Sequence, residues 1–202
     1  MDKLFDIVVD AQNDFMRPDG KLYVPDAEMI IPALNQYIAE LTDSVGVLFT
    51  FDTHFEDTYP KSEEAKQFPI HCIKNTPGWR LAVDLGMSAL PIHTLEKGVF
   101  DMWAEPYLKV FTVVWTDESL EAHPNGIDRD QFFENLKQAG VSKVRITGVA
   151  ADYCVKWAID GLLERGFDVE VVNGLTVGIE RQIEQVIQED FWDFADRAVS
   201  VR

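Results

Sequence analysis

Few residue combinations in this 202-residue chain could do covalent chemistry, and the strongest lies in Thr147-Gly148-Val149-Ala150-Ala151-Asp152-Tyr153-Cys154. The stretch follows the apolar residues 144–146 and leads into Val155, Ala158, Ile159, Leu162 and Leu163, whose spacing fits one face of an amphipathic helix. A buried strand thus runs into a helix with Cys154 in its first turn. Free backbone N–H groups and the positive end of the helix dipole favour an anion there, so the pattern predicts a thiol that ionises more easily than an ordinary cysteine. Such a thiolate is a nucleophile; the alternative is a cysteine buried as a small hydrophobe.

Three further strand-like runs end on groups that could serve it. Residues 4–9 are mostly apolar and β-branched and end at Asp10; residues 45–51 end at Asp52-Thr53-His54; residues 91–95 deliver Glu96-Lys97-Gly98. Taken singly, Asp10 could cap a helix, Lys97 could be a solvated charge, and His54 could be hydrogen-bonded in a loop. Together they stand at equivalent ends of one sheet, and in α/β folds ligands bind beyond the carboxyl ends of the strands.

The intervening elements support that placement. Residues 27–41 carry Ile30, Ile31, Leu34, Ile38 and Leu41 on a helical face, with Pro32 near its start. Residues 131–139 read as a helix capped by Asp128 and closed by Gly140, and residues 180–189 as another. A strand is expected at 167–172, turning at Asn173-Gly174, and a terminal strand at 198–201. Residues 11–20 read as a loop, residues 81–85 as a helical turn or two, and residues 110–115 as either a strand or part of a lid. Residues 55–80, broken by Pro60, Pro69, Pro77 and Gly78, look like a long excursion over the active edge. Alternation of strands and helices predicts one α/β domain over residues 1–202, with a mostly parallel sheet and helices on both faces.

Composition narrows the partners. Eighteen Lys plus Arg against 35 Asp plus Glu give a formal charge of −17, which repels phosphate backbones and anionic lipid. Nucleic acid and membranes are therefore not expected as partners, and a small neutral or cationic ligand is. No leader-like segment opens the sequence and no run nears the ~20 apolar residues of a bilayer span, so a cytoplasmic protein is expected. Cys72 and Cys154 are not expected to pair. Length and charge leave an oligomer open.

With Val9-Asp10-Ala11-Gln12-Asn13-Asp14-Phe15, Asp52-Thr53-His54, Phe68-Pro69-Ile70-His71-Cys72, Lys97-Gly98 and Gly148-Val149-Ala150-Ala151-Asp152-Tyr153-Cys154-Val155 in this order, the chain resembles the nicotinamidases of the isochorismatase-like cysteine hydrolases, from Asp10 to about residue 178. The resemblance implies the isochorismatase-like hydrolase fold, a catalytic triad of Asp10, Lys97 and Cys154, and a cis Val149–Ala150 peptide that forms an oxyanion hole from the amides of Ala150 and Cys154. It also implies a divalent metal, zinc first with iron or manganese as alternatives, held by Asp52, His54 and His71; such a mixed oxygen and nitrogen set suits these ions. Glu64 is the candidate for a further ligand, with Glu63 the alternative. Phe15, Phe68 and Trp103 are the aromatics expected around a small aromatic amide. The implied reaction is hydrolysis of nicotinamide to nicotinate and ammonia through a thioester on Cys154. A sister cysteine hydrolase acting on another small amide or carbamoyl compound, and a non-catalytic metal-binding module, are the alternatives. Val99-Phe100-Asp101-Met102-Trp103 and the rest of 100–126 depart from the family pattern, which leaves the pocket wall open.

Overall fold

The computed structural model describes residues 3–115, 120–122, 125–193 and 199–201. In chain order its elements are β1 (Lys3–Val9), α1 (Asn13–Met16), α2 (Ala27–Glu40), β2 (Ser44–Asp52), β3 (Ile92–Lys97), β4 (Lys109–Trp115), β5 (Leu120–Ala122), β6 (Ile127–Asp128), α3 (Arg129–Gln138), β7 (Val141–Val149), α4 (Lys156–Glu164), β8 (Asp168–Val177), α5 (Ile183–Asp190) and β9 (Val199–Val201). One sheet of order β5-β4-β3-β2-β1-β7-β8-β9 results, parallel from β3 to β9. The antiparallel pairs are β4 with β3, β5 and β6.

Strand alternation divides the core. Phe5, Ile7 and Val9 of β1 pack with Phe132, Phe133, Ile159, Leu162, Val186 and Ile187 from α3, α4 and α5, while Val8 joins Ile30, Ile31, Leu34 and Ile38 of α2. Helices therefore cover both faces, as the alternation of elements predicted. Asp128 caps α3 by accepting from the N–H groups of Asp130 at 3.0 Å and Gln131 at 3.2 Å, and Gly140 follows at φ +90°.

Several local expectations are corrected. Asn173-Gly174 does not turn the chain: β8 runs through it with a bulge, so its pairing with β7 jumps from Ile146–Val171 to Gly148–Thr176, and Gly174 absorbs φ +71°. Residues 81–84 are not helical; a short 3₁₀ turn sits at Leu85–Met87, capped by Asp84, which accepts from Gly86 N at 2.8 Å. Loop 11–20 contains the single turn of α1. Of the segment 100–126, residues 109–115 form β4, while 116–119 and 123–124 lie outside the described residues, as does Ala198 of the expected terminal strand.

Candidate active site

The parallel strands β1, β2, β3 and β7 deliver their carboxyl ends to one edge. Asp10 leaves β1 with φ +44°, Asp52 closes β2, and Lys97 closes β3 directly opposite Asp52 in the strand register. On β7, Gly148 has φ +105°, and a Cβ there would lie 2.1 Å from the carbonyl oxygen of Val9. Only glycine lets β7 come this close to β1. The Val149–Ala150 peptide is cis, and the chain then enters a wide π-helical turn, Ala151–Val155, that carries Cys154 into α4. Asp152 anchors this turn by accepting the N–H groups of Ile179, Glu180 and Arg181 at 2.9, 2.8 and 3.0 Å.

Asp10, Lys97 and Cys154 meet in the interior, each no more than 4% exposed. Lys97 Nζ lies 2.8 Å from Asp10 Oδ2, 3.6 Å from Cys154 Sγ and 3.5 Å from Asp52 Oδ1. Asp10 Oδ1 accepts from the Thr50 hydroxyl at 2.6 Å. Burial opposes a charge on Lys97, but Asp10 and Asp52 outweigh it and hold the ammonium well above the usual lysine range. Burial likewise pushes the Cys154 thiol well above the ordinary range; Lys97 pulls it down, and Asp10 and Asp52 push it up. The direction is opposite to that expected of an easily ionised thiol, because burial and the two carboxylates outweigh Lys97.

Beside this cluster lie Asp52, His54, Glu64 and His71, whose ligand atoms all fall within 4.8 Å of one another. Asp52 Oδ2 stands 3.0 Å from His54 Nε2 and 2.9 Å from His71 Nε2, and Glu64 Oε2 stands 3.3 Å from His54 Nε2. His71 Nδ1 is 2.8 Å from the Pro69 carbonyl, which assigns the ring hydrogen to Nδ1 and leaves the Nε2 lone pair facing a carboxylate. Two acceptors then confront each other across 2.9 Å, and Glu64 Oε2 is buried without a hydrogen-bond donor. A cation among these atoms satisfies both, so the donor set fits a divalent metal. His54 expresses the same demand. Burial works against its charge, yet the neighbouring carboxylates of Asp52 and Glu64 outweigh this and raise its pKa to about 9. Burial opposes the Asp52 anion, but Lys97 and His54 hold it well below the carboxylate range. Glu63 stays outside, exposed and paired with Lys66 at 2.5 Å.

Aromatic rings line the site. Phe15 lies 5.3 Å from His71 between centroids, and Phe68 meets Phe100 at 5.4 Å and Tyr153 at 5.6 Å. Trp103 is not brought to them: it packs on Phe133 at 4.9 Å, lies under the Arg165 guanidinium at 3.8 Å, and fills the space a side chain at Gly161 would need. Phe100 takes the place expected of Trp103, its N–H held by Glu64 Oε1 at 2.8 Å. A cavity of about 390 Å³ lies alongside, lined by Thr53, His54, Tyr59, Lys97, Gly98 and Glu105 among others.

Sequence reasoning missed the supports. Gln12 clips β1 to β2, its amide accepting from Asp52 N at 2.7 Å and donating to Asp52 O at 2.8 Å. Asp14 accepts from Cys72 N at 2.7 Å and so orients the chain beside His71. Tyr59 donates to the carbonyls of Phe68 and Pro69, both at 3.1 Å. Gln12 and Asp14 stood in a motif already noted, and their polarity straight after a buried strand was the available signal.

The isochorismatase domain family model matches residues 7–111. The nicotinamidase/pyrazinamidase of Mycobacterium tuberculosis is 28% identical over 178 residues, 86% of each chain. The nicotinamidase of Saccharomyces cerevisiae is 26% identical, over 82% of this chain and 84% of its own. The crystal structure of the Pyrococcus horikoshii pyrazinamidase in complex with zinc superposes with a TM-score of 0.68 at 28% identity, covering 99% of this chain and 98% of that one.

Proposed function

The chain belongs to the isochorismatase domain family, and from that premise we propose that it is an amidohydrolase that converts nicotinamide to nicotinate and ammonia. The observation that carries this reading is the meeting of a neutral buried thiol, a buried carboxylate and a buried ammonium within hydrogen-bonding reach, beside a four-residue metal-ligand set. The curated relatives named above are nicotinamidases over most of their length.

The proposed steps follow from what each group can do. Asp10 takes the Cys154 proton as the sulfur attacks the carboxamide carbon, and the amides of Ala150 and Cys154 receive the developing oxyanion. Asp10 then returns that proton to the nitrogen, the C–N bond breaks, and ammonia leaves behind a thioester. Water attacks next, Asp10 removing its proton, and nicotinate departs as the thiol re-forms. Lys97 keeps its positive charge throughout, steadying Asp10 and the thiolate. Asp52, His54, His71 and Glu64 would hold a divalent transition metal, zinc first with iron or manganese as alternatives, which when bound supplies a Lewis-acidic anchor for the pyridine nitrogen. Phe15, Phe68 and Phe100 flank the ring, and among the described residues no helix is long and apolar enough to cross a membrane.

Ammonia release over a panel of nicotinamide, pyrazinamide, benzamide and small aliphatic amides tests the reading. Nicotinamide should be the best or near-best substrate. Turnover confined to aliphatic or carbamoyl compounds would replace it with the sister-hydrolase reading.

A further inference from the structure

We propose that Thr50, inside β2, is a positioning residue that confines the transferred proton to one oxygen of Asp10; the inference rests on the base role given to Asp10 above. Thr50 is fully buried, and its hydroxyl makes two bonds to the same residue: it accepts the Asp10 N–H at 3.1 Å and stands 2.6 Å from Asp10 Oδ1. A hydroxyl has a single proton to give. Among the described residues the hydroxyl has no other acceptor, and a buried O–H left unpaired is costly. The Thr50 proton therefore points at Oδ1, which is held as an acceptor whether or not Asp10 is protonated. When the thiol proton reaches Asp10, Oδ2, which accepts no hydrogen bond, is the oxygen that receives it.

Oδ2 is the oxygen 2.8 Å from Lys97 Nζ, itself 3.6 Å from Cys154 Sγ. Confinement thus keeps the proton on the side where sulfur and the departing nitrogen meet, in place of a carboxyl group that can carry it on the far oxygen. The second bond fixes the frame. Asp10 sits at φ +44°, a conformation that non-glycine residues seldom adopt, and the Thr50 oxygen satisfies the N–H that this bend turns away from the strand. One side chain thereby sets both the backbone bend and the carboxylate face.

The test compares Thr50→Val, which keeps the shape and removes the hydroxyl, with Thr50→Ser, which keeps the hydroxyl. Thr50→Val should lower kcat on the best amide of the panel by on the order of 10- to 100-fold with KM little changed, as for loss of an oriented acid–base group. Thr50→Ser should restore most of it. Alkylation of Cys154 by iodoacetamide, which needs the base but no amide substrate, should slow in Thr50→Val and recover in Thr50→Ser. If Thr50→Val does not accumulate as folded protein, Thr50→Cys, a weaker donor, should fall between Ser and the Asp10→Asn enzyme. An unchanged kcat and alkylation rate in Thr50→Val, or equal losses in Val and Ser, would overturn the proposal. A wild-type enzyme inactive on nicotinamide but showing this alkylation pattern would sink the functional reading and leave Thr50 in its role.

Discussion

Strand β1 carries one buried aspartate, Asp6, and runs out into a second, Asp10; Asp6 faces a cation from the adjacent β7, and Asp10 faces one from β3, on the far side of β2. Asp6 is closed. Arg145 on β7 donates from Nε to its Oδ1 at 3.1 Å and from Nη2 to its Oδ2 at 2.9 Å, and the Tyr37 hydroxyl adds a bond of 2.5 Å. The remaining guanidinium reach goes to Asp43 at 3.1 and 2.7 Å. Asp10 meets a lysine instead, a compact charge shared at 2.8, 3.5 and 3.6 Å among Asp10, Asp52 and the thiol. A guanidinium fork occupies a carboxylate and leaves it nothing to do. The ammonium pairs with Asp10 Oδ2, which accepts no hydrogen bond in line. Burial is common to both aspartates, so it is the incomplete saturation of Asp10 that suits it to the base role proposed above.

The sharpest break between the two regions should come from Cys154→Ala, which removes the group that Asp10 serves. Turnover should fall by on the order of 10⁴-fold or more while nicotinamide binding, read by calorimetry, persists. Residual turnover within tenfold of wild type would remove the thiol from the reaction. Asp10→Asn and Lys97→Met come next, each expected to lower kcat by about 10²- to 10⁴-fold, with the double variant scarcely worse than either single, since groups sharing one step do not add. Arg145→Met is their mirror. It removes the cation from the buried Asp6 carboxylate and should cost roughly 3–5 kcal/mol of stability in urea unfolding, with kcat per folded molecule unchanged. A catalytic loss in Arg145→Met without a stability loss would erase the distinction.

A smaller effect separates the ligand set from the triad. Chelation, or His71→Ala, should raise KM for nicotinamide by about 10- to 100-fold and leave the poorer benzamide nearly unaffected, since benzamide has no ring nitrogen to anchor. Equal changes for both amides would remove the anchoring role.

The smallest expected effect concerns two histidines shifted in opposite directions. His54 is held up at about 9, so in metal-free protein its contribution to stability is full below the unfolded value near 6.5 and is lost as pH rises through about 9. His93 lies among Phe5 and Phe132, and burial lowers it to about 4; its contribution is present above about 6.5 and lost as pH falls toward 4. Melting temperature against pH should therefore peak near neutrality in metal-free protein, and His93→Phe should flatten the acid limb alone. A His93→Phe profile that matched wild type would mean the imidazole is not held neutral.

The legible part of this site is the part that breaks a pattern. Asp10, Asp52 and Lys97 each close a strand-like run and Cys154 follows one by a short turn, so all four are visible in one dimension. Thr50 and Arg145 lie within strands, where β-branched or long side chains read as ordinary strand residues, and their partners are Asp10 and Asp6 on β1. The thiol was misjudged because the helix-end argument assumes water nearby, and Cys154 is 4% exposed. Trp103 was expected beside the substrate ring, but Arg165 and Gly161, sixty residues onward, draw it under α4. Asn173-Gly174 carries a strong turn signal, and the neighbouring strand converts it to a bulge.

The insertion of β7 beside β1, already noted as bringing Cys154 to Asp10, also dictates when the enzyme can exist during its own synthesis. β1 is made first and β2 can join it early, but the other edge of β1 waits for β7, which begins at Val141. At cellular elongation rates that wait is on the order of ten seconds. Asp10 is made at the start of that wait and Lys97 partway through it, while Cys154 follows β7, so no partial chain that stops before β7 carries that thiol. Closing the β1–β7 seam brings carboxylate and thiol together before β8 and β9 have joined the sheet, and a chain that stalls before β7 lacks the nucleophile as well as the seam.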